Sequence, residues 1–230
     1  MTTIIGPKKG ETALLEITKE AKHRVLIGLS WNPKELSPSE KRGQMLSGIQ
    51  DVLFGNIFLV KANINRIHEK MDSSGRDTTD PNHDLDLICF VYDENGKMIS
   101  LVDPDAWNAV DNTGQIYHSG DDYTGEGGND DEQVHIELRD LPKSIHEFFI
   151  VVQSDCTDTI DKIDSPVIRV CDSISNTDLL KVNLEDEKNN DKYGYVFCRI
   201  FRDQDDWKIH NISEFCSFEE NWEEHFKKYR

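Results

Sequence analysis

With 230 residues, 44 acidic side chains and 26 basic ones, the chain carries a formal charge of −18. That excess argues against nucleic acid and against anionic membrane surfaces, since both attract a basic face, and it is compatible with binding of divalent cations. The N-terminal segment lacks the pattern of a secretory signal and no apolar run reaches bilayer length. We therefore expect a cytoplasmic protein without stable membrane insertion.

Most of the chain is predicted to form short β-strands. Val25, Ile27 and Leu29 alternate with smaller or polar residues, which is the period of a half-buried strand. Residues 85–93 are nearly all apolar and lead into Asn95-Gly96, a strong hairpin signal. Further strands are predicted at 98–103, 133–141, 147–154, 166–173, 178–184, 193–201 and 206–212. About nine or ten short strands separated by turns predict a mostly-β fold, an antiparallel β-sandwich.

Residues 35–75 interrupt the strand pattern and are predicted to form a helical insertion. Ser37 and Glu40 have the spacing of a capping box at its start. Apolar residues then follow at steps of three and four from Leu46 to Met71, close to the heptad spacing of a helix buried along one seam.

The insertion also predicts a contact. Segment 52–60 is apolar on more than one side, and such a helix needs more than one neighbour. We therefore expect a protein partner or a homodimer to bind through the helix at 37–71. The alternative is internal packing, with the helix lying across an open face of the sandwich.

A second, shorter helix is predicted at 217–230. Phe218, Trp222 and Phe226 form one apolar stripe, which is expected to pack on the sandwich. With this helix and the insertion included, residues 1–230 are predicted to form a single domain.

The five cysteines are far apart and have no C-x-x-C spacing. Most lie within apolar runs, so we expect reduced thiols in the core of a cytoplasmic protein, without a disulfide framework or a zinc site. They are Cys89, Cys156, Cys171, Cys198 and Cys216.

The segment SGDDYTGEGGNDDE at 119–132 concentrates six carboxylates among four glycines. One interpretation is a solvated acidic loop, because runs of like charge usually repel and stay wet. The other is a cage for a hard cation such as Ca²⁺, which takes six to eight oxygens from carboxylates, carbonyls and water. The spacing of the acidic residues does not match an EF-hand loop.

A second pair of carboxylates precedes the strand at 85–93. Asp84 and Asp86 are two residues apart, and in a strand such residues point to the same face. Two buried carboxylates side by side repel each other, and a divalent ion would remove that conflict. A solvated strand end is the alternative.

These motifs together resemble the tellurite-resistance TerD family. The string DLDL with a following Phe at 84–90, the pair Trp107-Asn108 and GDDYTGEGGNDDE at 120–132 match that family's usual strings D-x-D-L-D-x-x-x-F, Y-N and G-D-N-x-T-G-E-G-x-G-D-D-E. The resemblance covers roughly 7–32 and 82–212. It implies a β-sandwich that binds two calcium ions at one end and acts in cytoplasmic responses to tellurite, DNA damage or phage.

The sequence departs from the family pattern at four positions. Asn82 stands where the family usually has Asp, Asp122 stands where it has Asn, and Gly128-Asn129 replaces a variable residue and a glycine. We expect both ion sites to survive with altered relative affinity. The predicted ligands for two Ca²⁺ ions are Asp84, Asp86, Asn108, Asp121, Asp122, Glu126, Asp130, Asp131 and Glu132.

The sequence favours a calcium-binding, non-catalytic stress-response or interaction module. A metal-assisted hydrolase is one alternative, although the acidic motifs contain no Lys, Arg or His to stabilise a developing charge. A calcium-dependent protein for a small ligand, such as a sugar or a nucleotide, is another. His83 and His118 flank the motifs, either as hydrogen-bond donors behind the ligands or as ordinary surface residues.

Overall fold

The computed structural model describes residues 5–18, 23–35, 83–127, 129–155, 158–186, 191–217 and 222–230. Eleven strands and one short α-helix form within this part of the chain. In chain order they are β1 (Thr12–Leu14), β2 (Arg24–Ser30), β3 (Leu85–Tyr92), β4 (Met98–Val102), β5 (Ile116–His118), β6 (Glu132–Glu137), β7 (Glu147–Ser154), β8 (Val167–Asp172), β9 (Thr177–Asn183), β10 (Gly194–Asp203), β11 (Asp206–Cys216) and α1 (Trp222–Phe226).

The strands form two antiparallel sheets. A six-stranded sheet has the order β1-β11-β10-β7-β3-β4, and a five-stranded sheet has the order β5-β6-β2-β8-β9. Side chains of both sheets share one core: Val25 and Ile27 of β2 meet Leu85 and Leu87 of β3 in the same buried cluster. The predicted antiparallel β-sandwich is therefore confirmed.

The outer face of the six-stranded sheet is apolar as well. Because successive strand residues alternate between faces, Ile88, Phe90 and Tyr92 point away from the shared core, into a second cluster. Helix α1 covers this face, and its Phe226 ring stacks on Phe149 with centroids 4.2 Å apart. The prediction that a C-terminal helix packs on the sandwich is confirmed.

Local turn chemistry agrees with the sequence at both predicted hairpins. Gly96 has φ +74° between β3 and β4, a conformation that glycine adopts without strain. Asp203 pairs with Asp206 at the tip of the last hairpin. Strands β1 and β5 were not predicted, because three residues are too few to display a period.

Several other predictions concern segments that the structure describes only in part. The insertion at 35–75 lies almost wholly outside them, as do Phe218 and Glu220. Four of the five cysteines are buried and form no disulfide, and Cys156 lies outside the described part. No described helix has the length and apolar character that a membrane crossing requires.

Candidate metal centre

The carboxylates of Asp84 and Asp86 lie where β3 begins, on the face of the six-stranded sheet that points away from the shared core. Their neighbours Leu85 and Leu87 are fully buried in the core, so strand alternation directs Asp86 outward. Asp84 is buried although it is an acidic residue. The prediction that the two side chains converge follows from this two-residue period.

Asp121 joins this pair from the loop between β5 and β6. Carboxylate oxygens of Asp84, Asp86 and Asp121 lie within 4.8 Å of one another. Two ligands on opposite sides of a Ca²⁺ ion stand no more than about 5 Å apart, given bond lengths of 2.3–2.6 Å. The spacing of the three carboxylates is therefore compatible with one shared ion.

Glu132 fastens the loop to the strand behind this group. It is fully buried at the start of β6, where its Oε2 accepts a hydrogen bond from the Leu87 amide at 2.7 Å and its Oε1 accepts one from the Asp122 amide at 3.3 Å. Since Leu87 belongs to the six-stranded sheet and Glu132 to the five-stranded sheet, the acidic group stands at the seam between the two layers.

Burial and neighbouring negative charges raise the pKa values of two carboxyl groups at this seam, Asp86 and Glu132. Desolvation, with the charges of Glu132 and Asp155 next in importance, raises the pKa of Asp86 to about 9. Desolvation also raises the pKa of Glu132 to about 9, against the opposing effect of its two backbone donors. Without a counter-ion, both groups therefore hold protons at neutral pH.

Two neighbouring acidic residues were missed by the sequence analysis. The Asp155 amide donates to the Asp84 carbonyl at 3.1 Å, because the pairing of β3 with β7 sets residues 84 and 155 side by side at the ends of these strands. Asp103 accepts a hydrogen bond from Asn108 Nδ2 at 3.1 Å, and burial raises its pKa. The position of Asp155 next to Asp84 depends on the register between two strands that are far apart in the sequence, and no local sequence motif predicts it.

Two further carboxylates of the acidic loop, Asp122 and Asp131, accept hydrogen bonds from backbone amides. Asp122 Oδ1 accepts from the amides of Thr124 and Gly125, while Asp131 Oδ2 accepts from the Trp31 amide at 2.9 Å. Burial raises the pKa of Asp131, and the charge of Asp122 adds to that shift. The negative charges of Asp122 and Asp131 therefore repel each other.

A glycine lets this part of the loop approach β2 closely. Gly125 has φ +63°, and a Cβ added there would stand 2.6 Å from the indole ring of Trp31. Any other residue would be strained in its backbone and would collide with that ring.

Asp130 has a cationic partner. Its carboxylate accepts two hydrogen bonds from Arg169 of β8, Nε to Oδ1 at 2.8 Å and Nη2 to Oδ2 at 2.7 Å. This bidentate pair is largely buried and lies over Gly28 of β2, where an added Cβ would stand 2.3 Å from the carboxyl carbon. The structure thus places Asp130 on the outer surface of the five-stranded sheet, engaged by an arginine.

We expect Gly28→Ala to lower the free energy of unfolding by roughly 1–3 kcal/mol, because the added methyl group displaces the Asp130–Arg169 pair. Chemical denaturation of the single variants and of the double variant with Asp130→Ala measures this. Removing the Asp130 carboxylate first should make Gly28→Ala much less costly. Equal costs in the two backgrounds would show that the pair does not lie over this glycine.

The remaining predicted ligands are less enclosed. Glu126 is exposed, and its backbone amide is held by Thr124 Oγ1 at 3.1 Å. Asn108 is half-buried and has its side-chain amide directed at Asp103. The structure therefore gathers Asp84, Asp86 and Asp121 at one point, with Glu132 hydrogen-bonded to Leu87 and Asp122 behind them, and it places the other five predicted ligands elsewhere.

Both flanking histidines are buried, so the alternative of ordinary surface residues is wrong. The Trp31 indole donates to the His83 carbonyl at 3.0 Å. His118 Nδ1 accepts from the Gly120 amide at 3.0 Å, which leaves the proton of a neutral ring on Nε2. Burial lowers the pKa of His118, which favours that neutral ring.

An open cleft of about 810 Å³ adjoins the carboxylate group. Its lining includes Asp86 and Asp121, residues 103–106 and Ala109, and Ile88 adds apolar surface. The candidate ion position is therefore accessible from this side.

The protein is a two-sheet antiparallel β-sandwich with acidic side chains gathered at the seam between its two layers. The chain belongs to the TerD family, because the TerD domain model matches residues 4–219.

Its relatives have related names. Stress response protein SCP2 of Bacillus subtilis (strain 168) is 31% identical over 139 residues, which is 58% of this chain and 69% of the relative. Tellurium resistance protein TerZ of Serratia marcescens is 25% identical over 210 residues, covering 90% of this chain and 88% of the relative.

A solved structure shares the fold. A homologue of telluride resistance protein TerD from Streptomyces coelicolor A3(2) superposes with a TM-score of 0.58 and 17% identity, over 85% of this chain and 90% of that one.

Proposed function

We propose that this protein is a non-catalytic calcium-binding module that acts in a cytoplasmic stress response. The observation that carries the proposal is the group of Asp84, Asp86 and Asp121 beside the buried Glu132. Asp84 and Glu132 are buried, Asp86 is half-buried and Asp121 is exposed. Without a cation the enclosed carboxylates repel each other, and a bound divalent ion turns that repulsion into attraction.

The donor set fits calcium. Carboxylate oxygens are hard ligands, and Ca²⁺ accepts six to eight of them in flexible geometry, with water completing the shell. We assign the first ion to Asp84, Asp86 and Asp121. Glu132 then positions them, since its two oxygens hold the Leu87 and Asp122 amides.

We assign a second ion to Asp122 and Asp131, with the exposed Glu126 as a further ligand. The support is the electrostatic proximity of the first two. Asp130 is not assigned to either ion in this proposal, because Arg169 already neutralises it.

A scarcity of cationic side chains at the described site favours the non-catalytic role over the metal-assisted hydrolase. Hydrolysis at a metal centre is helped by a cationic side chain that stabilises the developing negative charge. Among the described residues that line the cleft, His118 is the only basic side chain, and it is buried. The role in stress responses is inferred from the relatives named for stress response and tellurium resistance. The partner or homodimer contact through residues 37–71 remains part of the proposal.

Thermal unfolding with calcium and with EGTA tests calcium binding. An ion that binds only the native state stabilises it by about 2.7 kcal/mol at a hundredfold excess over the dissociation constant. We expect the melting temperature to rise with calcium and to return with EGTA, and calorimetric titration to give two ions per chain. A melting temperature that responds to neither reagent would refute the proposal.

A further inference from the structure

The outer face of the six-stranded sheet belongs to the matched domain, but the C-terminal segment that covers it, residues 222–230, does not. The match to the family model ends at residue 219. Among the described residues, the core shared by the two sheets contains no side chain of this segment, so the sandwich closes without it. The segment contributes only to the second apolar cluster, on the outer face. It is therefore a cover added to a face that the rest of the domain already forms.

Two aromatic side chains attach the first half of the segment. The Phe226 ring stacks on Phe149 and meets Phe90 edge-on, with centroids 4.2 Å and 5.2 Å apart. The Trp222 ring, four residues earlier, lies 5.8 Å from the Phe90 ring. Gly194 of β10 makes room for it, because a Cβ there would stand 3.2 Å from the indole. The face thus receives two rings that are four positions apart.

An arginine attaches the end of the segment through a buried carboxylate. The Arg230 guanidinium lies 4.4 Å from the centroid of the Tyr92 ring, and its Nε donates to Glu147 of β7. Glu147 is 2% exposed and accepts a second hydrogen bond, from Arg199 Nε at 2.7 Å. The turn between β3 and β4 leaves space for the guanidinium, since a Cβ on Gly96 would stand 3.3 Å from it. A buried carboxylate at this end therefore favours a cationic occupant.

A second carboxylate of the sheet faces the residues between these anchors. Glu214 of β11 accepts hydrogen bonds from Lys228 Nζ and from the Tyr229 hydroxyl, each at 2.5 Å. Beside Arg230 the surface continues into an open cleft of about 430 Å³, whose lining includes Asp93. Carboxylates of the sheet thus meet cations of the segment, and the cleft has room for a longer occupant.

These contacts, rather than the stability of its own helix, keep the segment in place. Helix α1 has five residues, whereas an isolated helix needs about 12–15 to be marginally stable. We propose that this outer face is a docking groove for a basic, aromatic segment of a partner protein, and that residues 222–230 fill the groove until the partner displaces them. The partner segment has two aromatic residues four positions apart and an arginine four positions further, as Trp222, Phe226 and Arg230 have.

The charge of the chain supports a basic partner. A formal charge of −18 attracts a cationic protein over a distance and repels a second copy of the chain. The groove needs no metal ion, so this proposal is independent of the proposed function and goes beyond it.

The test is a titration of the full chain into a fluorescein-labelled peptide with the sequence of residues 222–230, followed by fluorescence anisotropy. The double variant Phe226→Ala/Arg230→Ala has lost two anchors of its own segment. In the wild type the attached segment competes at high effective concentration, so we expect the double variant to bind the peptide at least about tenfold more tightly. Peptides with Phe226→Ala or with Arg230→Glu should bind to the double variant at least about tenfold more weakly.

Matched variants locate the bound peptide. Glu224→Gln changes an exposed residue that pairs with Lys227 within the segment itself, and it should leave the wild-type affinity unchanged. Adding Glu214→Gln to the double variant should weaken peptide binding severalfold, because Glu214 faces the lysine and the tyrosine of the bound segment.

Thiol labelling shows whether the face opens while the fold persists. Cys216 is buried on the outer face, in the cluster that contains Phe226, and Cys198 is buried in the shared core. In the double variant Cys216 should react at least about tenfold faster than in the wild type, while Cys198 stays protected. Peptide mass mapping assigns each labelled thiol. Reaction of Cys198 as well would mean that the fold requires the segment, and it would overturn a displaceable cover.

Two further results would overturn the proposal. One is equal binding of the peptide by the wild type and the double variant, or binding by neither, because the segment would then not occupy a groove. The other is a wild-type dimer in light scattering that the double variant lacks, because a second copy of the chain would then be the occupant. Tighter binding by the double variant, together with a monomeric wild type, supports the groove.

Discussion

Asp86→Asn is expected to abolish binding of one calcium ion and, in calcium-free solution, to raise stability. Desolvation, followed by the charges of neighbouring carboxylates, raises the pKa of the wild-type Asp86 carboxyl to about 9. In EGTA at neutral pH the wild-type carboxyl must take up a proton on folding, whereas asparagine has a similar shape and no such requirement, so we expect roughly 1–3 kcal/mol of added stability. With calcium, the order reverses, because only the wild type gains the binding energy of that ion.

Calorimetric titration and chemical denaturation, each with calcium and with EGTA, measure these two effects. Asp140→Asn is the matched control, because Asp140 is an exposed carboxylate in the turn after β6. It should leave the calcium stoichiometry and both stabilities unchanged. Wild-type stoichiometry and affinity in Asp86→Asn would contradict the assignment of Asp86 as a ligand.

Calcium binding is expected to release protons at neutral pH. Asp86, a proposed ligand, and Glu132, which lies behind the ligands, both have a pKa near 9 without the ion, and the charge of a bound cation favours ionisation of both carboxyls. Up to about two protons should be released, so that the affinity rises by up to about a hundredfold per pH unit below pH 9. Titration in buffers of different ionisation enthalpy counts the protons directly.

The same two carboxyls set the direction of the pH dependence without calcium. Their folded-state pKa values exceed the unfolded ones, so the folded protein binds more protons than the unfolded chain between about pH 4 and pH 9. Above about pH 7, where the histidines with lowered pKa values no longer titrate, the free energy of unfolding in EGTA should therefore fall as pH rises. Saturating calcium should flatten the dependence. Observed enthalpies that do not vary with the buffer, together with a flat pH profile in EGTA, would contradict this account.

The alternation of apolar and polar residues along the chain made many of the strands predictable. The two-residue period of Val25, Ile27 and Leu29 identifies both the strand and its buried face. The same period predicts that Asp84 and Asp86 converge, because strand geometry fixes that relation locally. The helical insertion and the assignment of ligands to metal stay predictions.

What could not be predicted depends on strand register and on packing between sheets. Asp155 reaches Asp84 only because β7 pairs with β3 in one particular register. The sequence motif that contains Asp130 does not indicate that Arg169, thirty-nine positions away, donates hydrogen bonds to the Asp130 carboxylate. Burial of His118 follows from the closure of the two layers over it, and its short strand has no detectable period.

The position of the carboxylates at the seam has a consequence for the order of folding events. Asp84 and Asp86 come from the strand β3 and Asp121 comes from a loop of the other sheet, so the binding geometry arises only after the layers have docked. An unfolded or newly synthesised chain does not hold these groups together. An ion that binds only after the layers have docked stabilises the native state but not the folding transition state. It therefore slows unfolding and leaves the rate of folding nearly unchanged. In this fold calcium would therefore prolong the lifetime of the folded molecule rather than help it to form.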